Sequence, residues 1–168
     1  MKLKSAIKIN GRTYEAGSDL PWYSVYPFFL VHMFMFGGSS FLMAYTSEPP
    51  PLVFIYAHGG IAILVYTIFY LSIFGRDEVK WMFINAGLGA LAIYTQIGWL
   101  LSLFGKNIAD YPLPLHVTPF LYYVLYTYLL RQALLDLAGA REDEVRRRQV
   151  DNAYVALSVI LSFAAWLA

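Results

Sequence analysis

Apolar residues along this chain fall into five long blocks, 22–45, 52–74, 81–104, 113–137 and 150–168, with short polar stretches between them. An α-helix rises about 1.5 Å per residue, so crossing a hydrocarbon core about 30 Å thick takes about 20 residues. The first three blocks meet that length comfortably. The last is shorter, its apolar part starting at Ala153, and needs tilt or shielding by its neighbours. The pattern therefore predicts an all-α integral membrane protein, a five-transmembrane-helix bundle over residues 21–168. Four spans plus one interfacial helix is the alternative.

Residues 1–20 read differently. "AIKINGRTYEAGSDLP" alternates apolar and polar residues around Asn10-Gly11, a dipeptide that supplies the positive φ angles of a tight turn. This predicts a short N-terminal β-hairpin, 5–10 against 12–16. Two strands alone are marginal, so the hairpin is expected to pack on the inner ends of the helices or on a partner. A charged connector, 139–149, separates the fourth and fifth blocks. Its Glu142–Arg146, Asp143–Arg147 and Glu144–Arg148 spacings support a solvated helical turn, and Gly139 is placed to end the fourth span.

Composition fits this class: 59% of residues are apolar, 14% are charged and the mean hydropathy is +0.54. There is no cysteine, which excludes disulfides, thiolate metal sites, iron–sulfur clusters and thiol catalysis. The polar, basic start lacks a small-residue cleavage pattern, so the first span is expected to be retained. The net charge of +1 hides a strong segregation. With the N-terminus cytoplasmic, eleven of the 12 Lys and Arg residues lie inside and only Lys106 lies outside. That predicts a multi-pass inner (plasma) membrane protein with its N-terminus cytoplasmic and its C-terminus external. The inner basic residues suit anionic lipid, and no nucleic-acid partner is expected.

Candidate chemistry is sparse. No Asp, Glu or Lys falls in the middle of a block, which argues against ion-coupled transport and paired-carboxylate catalysis. No HExxH, GxSxG or P-loop pattern occurs, and no internal repeat is visible. The three histidines all fall in the outer half. His58 and His116 sit at similar depth, whereas His32 lies deeper than His58 by about five residues, some 7 Å. Depth makes His58 and His116 the better axial pair for a b-type haem, with Gly59-Gly60 open to a flat ring; three convergent histidines would alternatively suit copper or zinc. The same residues have plainer uses, as helix-to-helix hydrogen bonds and small packing positions.

In "PLPLHVTPFLYYVLYTYLLR" the prolines push Leu113 and Thr118 towards extended backbone. Thr118-Pro119 then reads as an N-cap and first helical position, leaving His116 in an extended lead-in facing a pocket or an interfacial crevice. Below it Tyr123, Thr127 and Arg131 form one polar stripe, with Asn85, Tyr94, Thr95 and Gln96 on the third block as partners. Arg131 is expected to snorkel to the inner surface. The seam is either structural or, with Gln96 and Tyr123 as hydrogen-bond donors, a headgroup site for quinone.

Together these residues predict a non-catalytic subunit or scaffold of a larger membrane complex, or of a homo-oligomer, that packs helices, lipid or quinone. The alternative is an electron-transfer protein holding haem b or quinone at His58 and His116, supported by His32, Gln96 and Tyr123. Third comes a transporter or channel for a neutral solute.

Overall fold

The structure is a computed structural model that describes residues 2–9 and 11–167. Its described residues form a two-stranded antiparallel sheet, β1 (Ile7–Ile9) and β2 (Arg12–Tyr14), and six helices. The helices are α1 (Trp22–Ala44), α2 (Leu52–Phe74), α3 (Arg76–Leu88), α4 (Ala90–Ser102), α5 (Val117–Leu137) and α6 (Glu144–Leu167). Val25–Ala44 within α1, and all of α2, are long and apolar enough to cross a membrane. The α3–α4 pair passes the same test if its two halves count as one span.

The hairpin forms with register Ile7↔Tyr14 and Ile9↔Arg12. Asn10 lies outside the described residues, while Gly11 carries the positive φ, 78°, that such a turn requires. As expected, the hairpin seats on the helix ends. Lys4 and Ser5 N–H groups donate to the Ser72 carbonyl (3.0 and 3.2 Å), and Leu3 is buried beside Ile73 and Phe74. The Ser72 carbonyl, in the last turn of α2, is one that the helix itself leaves without a partner.

The third block is not a straight helix over 81–104. It starts at Arg76 and bends by 75° between α3 and α4 at Gly89. A Cβ on Gly89 would lie 3.2 Å from the Asn85 carbonyl oxygen, so a residue without a side chain suits the break, and the bend leaves Leu88 and Leu91 almost fully exposed.

The start of the fourth block also differs from expectation. Leu113–His116 form a 3₁₀ turn and the α-helix runs from Val117, so neither Leu113 nor Thr118 is extended and Thr118 is not the N-cap. Pro114 fits because its fixed φ suits the first positions of a helical turn, with Leu115 N–H donating to the Pro112 carbonyl (2.9 Å). Pro119 is the third residue of α5, where its missing N–H would have no partner anyway. At the other end Gly139 does terminate α5. Its φ is 60°, its N–H reaches the Asp136 carbonyl (3.1 Å), and Ala140 N–H reaches that of Leu135 (2.8 Å), the paired bonds of a Schellman cap.

The charged connector is largely the start of α6, not a separate link. Asp143 caps it, accepting from the N–H groups of Val145 (3.0 Å) and Arg146 (3.1 Å). Of the three expected pairs only Glu144–Arg148 forms (3.6 Å). Arg146 turns to Asp143 (3.3 Å), and Arg147 crosses to Glu78 on α3 (3.5 Å).

Helix α5 is the central element. It packs most extensively on α1, touches α2, α3, α4 and α6, and buries Tyr122, Leu125, Tyr128 and Leu129. Helix α6 lies chiefly against α4. Along α1 and α2 the faces turned away from α5 expose Phe28, Val31, Phe34, Val53, Ile61 and Leu64, as helices bathed in hydrocarbon would.

Candidate functional site

The residues singled out by sequence fall in three separate places. At the start of α5, His116 is buried with 5% of its surface exposed. Its Nδ1 shares a hydrogen bond with the Tyr45 hydroxyl (2.9 Å), and the Tyr94 ring stands edge-on to it at 5.5 Å. His116 therefore sits in a tyrosine-lined core and not in an extended segment facing a crevice.

His58 and His32 belong to a different feature. The rings of Phe28, His32, Phe36, His58 and Phe54 follow one another along the surface of α1 and α2, with successive centroids 5.3, 4.9, 6.3 and 6.2 Å apart. His32 is exposed, not deep in the protein, and its Nδ1 shares a hydrogen bond with the buried Tyr66 hydroxyl (3.0 Å). His58 is half-buried and its Nε2 makes no hydrogen bond. Among the described residues the His58 and His116 rings make no contact with each other, and no three His, Asp or Glu side chains are grouped to hold a metal ion.

The glycines beside these histidines divide in a way that explains them. A Cβ on Gly37 would lie 2.8 Å from the Tyr122 ring, and one on Gly59 would lie 2.1 Å from the Thr118 methyl. One on Gly38 or Gly60 would meet nothing within 4 Å. One glycine of each pair thus brings α1 or α2 onto α5, the close-packing use of small residues.

The third place is a cleft of about 720 Å³ bounded by α3, α4, α5 and α6. Gln96 and Tyr123 meet here: the Tyr123 hydroxyl donates to Gln96 Oε1. Gln96 Nε2 donates to the Ser158 carbonyl (3.1 Å) and Ser162 Oγ (3.0 Å) on α6. Both Nε2 hydrogens are thereby used, so Gln96 acts as a clamp that holds α6 on α4 and α5, and it has no donor left for a ligand. Gln96→Leu is expected to destabilise the bundle by about 2 kcal/mol, because Tyr123 loses its acceptor and Ser158 and Ser162 on α6 lose their donor. Thermal unfolding in detergent checks this, and Gln96→Glu, which keeps the acceptor but loses the donors, should fall between Gln96→Leu and the parent.

Four charged residues line the cleft. Arg131 does not snorkel free. Its Nε and Nη2 both reach Asp151 Oδ1 on α6, at 2.9 and 2.7 Å. The Arg147–Glu78 pair stands at the same end of the cleft, with Tyr128 below it. Between the charges and the Gln96 clamp the walls are largely apolar, with Trp81, Met82, Ile93 and Val155.

One polar cluster has no counterpart in the sequence reading. Asp136, only 9% exposed, accepts from the Tyr26 hydroxyl on α1 and from Arg141 Nε and Nη2; Arg141 Nη2 also reaches the Tyr26 hydroxyl (3.0 Å). Burial alone would lower the Arg141 pKa, but the hydrogen bonds and charge of Asp136 outweigh it and raise it, so the cation persists. The one available signal is an acid at the end of an apolar block with an arginine five residues on, across a glycine.

Fold and cleft together define a mostly helical chain with two to three helices long and apolar enough to span a membrane. Comparison with protein families, with curated protein sequences and with solved structures finds no match for it.

Proposed function

We propose that this chain is a five-span inner-membrane protein, N-terminus inside and C-terminus outside, that serves as a non-catalytic subunit or scaffold and holds an amphiphile, lipid or quinone, in the α3–α6 cleft. The cleft carries this reading. It is large enough for a small-molecule site, has apolar walls, and has its charges gathered at one end, the profile of a molecule with a polar head and an apolar tail. The orientation rests on the basic residues. Helix α5 is mostly enclosed by other helices, which explains how a span can carry so many tyrosines, and α6 has α4 as its shield.

Because the chain has no cysteine, single-cysteine labelling reports topology without background. An impermeant maleimide applied to intact cells is expected to modify Glu48→Cys, Lys106→Cys and Leu167→Cys and to leave Arg76→Cys and Arg148→Cys unmodified. The reverse pattern would sink the orientation, and protection of Leu167→Cys would reduce the spans to four. For the cleft, organic extraction of gently purified protein should release about one amphiphile per chain, lost in Ala92→Trp or Val155→Trp, which fill the cavity.

A second reading, electron transfer through haem b or quinone, has one observation in its favour: His32 and His58 flank Phe36 on an exposed face. An oxidised and then dithionite-reduced absorbance spectrum separates the two readings. A Soret band that vanishes in His58→Ala would replace the scaffold by a redox protein.

A further inference from the structure

The polar end of the α3–α6 cleft is specific enough to say what kind of head it takes, granted the reading of the cleft as an amphiphile site. We infer that it recognises a zwitterionic phospholipid head in which a phosphate is joined to a primary amine, as in an ethanolamine phospholipid.

Charge balance comes first. The four charged residues lining the cleft, Arg131, Arg147, Asp151 and Glu78, cancel two against two. An anionic head would satisfy the arginines but place a second negative charge against Asp151 and Glu78, and a cationic head would do the converse. A head carrying both signs meets both.

Unused bonding capacity comes second. Both Arg131 donors converge on one oxygen, Asp151 Oδ1, so Asp151 Oδ2 takes no hydrogen bond among the described residues. Arg147 and Glu78 meet through one contact of 3.5 Å, the outer limit of a hydrogen bond. The planar guanidinium donors suit phosphate oxygens. The free carboxylate oxygens of Asp151 and Glu78 suit the three N–H donors of a primary ammonium. A choline head has no N–H and cannot make those bonds, so the site should prefer ethanolamine over choline as well as over glycerol.

Position comes third. Arg131 lies six residues from the end of α5, about 9 Å, which puts the charges at the headgroup depth of one leaflet. Trp81, Met82, Ile93 and Val155 then line the path of a chain toward the Gly89 bend.

The test is competitive retention. The full chain is reconstituted in nanodiscs of equal parts phosphatidylethanolamine, phosphatidylcholine and phosphatidylglycerol, washed in mild detergent, and its retained lipids are quantified by mass spectrometry. The expected result is about tenfold enrichment of the ethanolamine lipid over both others. In the charge-neutral double variant Arg131→Gln/Asp151→Asn that preference should vanish. Equal retention of the three lipids, or a preference for glycerol or choline, overturns the headgroup assignment while leaving the cleft an amphiphile site. Retention no greater in the parent than in Ala92→Trp overturns the cleft itself.

Discussion

Gly59→Ala is expected to be among the most damaging single-methyl changes in this protein, while Gly60→Ala, one residue on, should be neutral or mildly stabilising. A Cβ at residue 59 would stand 2.1 Å from the Thr118 methyl and 3.1 Å from Ser40 Oγ, with Thr118 2% exposed and Ser40 fully buried. A threonine methyl sits next to its own backbone and cannot swing clear as the tip of a long side chain would. Helices α2 and α5 must therefore separate, at a cost of about 2–3 kcal/mol for overpacking. At residue 60 the new methyl enters open space, and helix propensity favours alanine over glycine by up to about 1 kcal/mol. Thr118→Ala on the Gly59→Ala background should recover most of the loss, a coupling that appears only between groups in contact. Unfolding free energies in mixed micelles decide the matter. Equal costs at 59 and 60, or no recovery in the double variant, would show that this close approach is not what the glycine is for.

Removing Asp136 should cost about 3 kcal/mol, and removing it together with Arg141 should cost less. The carboxylate is 9% exposed and accepts from the Tyr26 hydroxyl and two Arg141 donors, joining α1, the end of α5 and the chain that leads into α6. Asp136→Ala leaves the guanidinium, itself two-thirds covered, without its counter-charge, which is the expensive way to break a buried pair. Replacing both partners, as in Asp136→Leu/Arg141→Met, removes the burden of desolvating two charges and is expected to recover at least half of the loss. Tyr26→Phe should cost about 1 kcal/mol. A double variant as unstable as the sum of the two singles would mean that the two charges act independently.

The elements that the chain's own pattern announces are those set by local chemistry. The first two helices span 22–44 and 52–74, as their apolar blocks predict, because prolines and polar residues bound each block on both sides. Gly139 ends α5 because the positive φ of a Schellman cap comes most cheaply to glycine. The hairpin and its docking on the helix ends follow equally from alternation and from the weakness of a lone pair of strands. The bend at Gly89 was less legible: "NAGLGA" serves close packing as readily as a break, and in the fold α3 and α4 pack on α5 from either side of it. The same holds for Thr118, whose local preference before a proline is extended and whose place in α5 is set by burial against Gly59.

For the candidate site the division is sharper. Tyr123 and Gln96 were visible as partners, since both lie on stripes facing the same seam, but their use as a clamp depends on Ser158 and Ser162, more than sixty residues beyond Gln96. Depth placed His58 level with His116, yet rotation about the helix axes gave the two rings different neighbours. Arg147 meeting Glu78, and Arg131 meeting Asp151, likewise required the fold.

The reason lies in the solvent. In water, a helix shows its inner face by being apolar on one side and polar on the other. In hydrocarbon the outer face is as apolar as the core, so the period that would reveal rotation is largely absent. By itself, then, the sequence determined how many apolar blocks there are, where most of them end, and which side of a membrane their charges favour. The tertiary structure alone decided which face of each helix meets which, and so where the cleft lies and which polar groups stand around it.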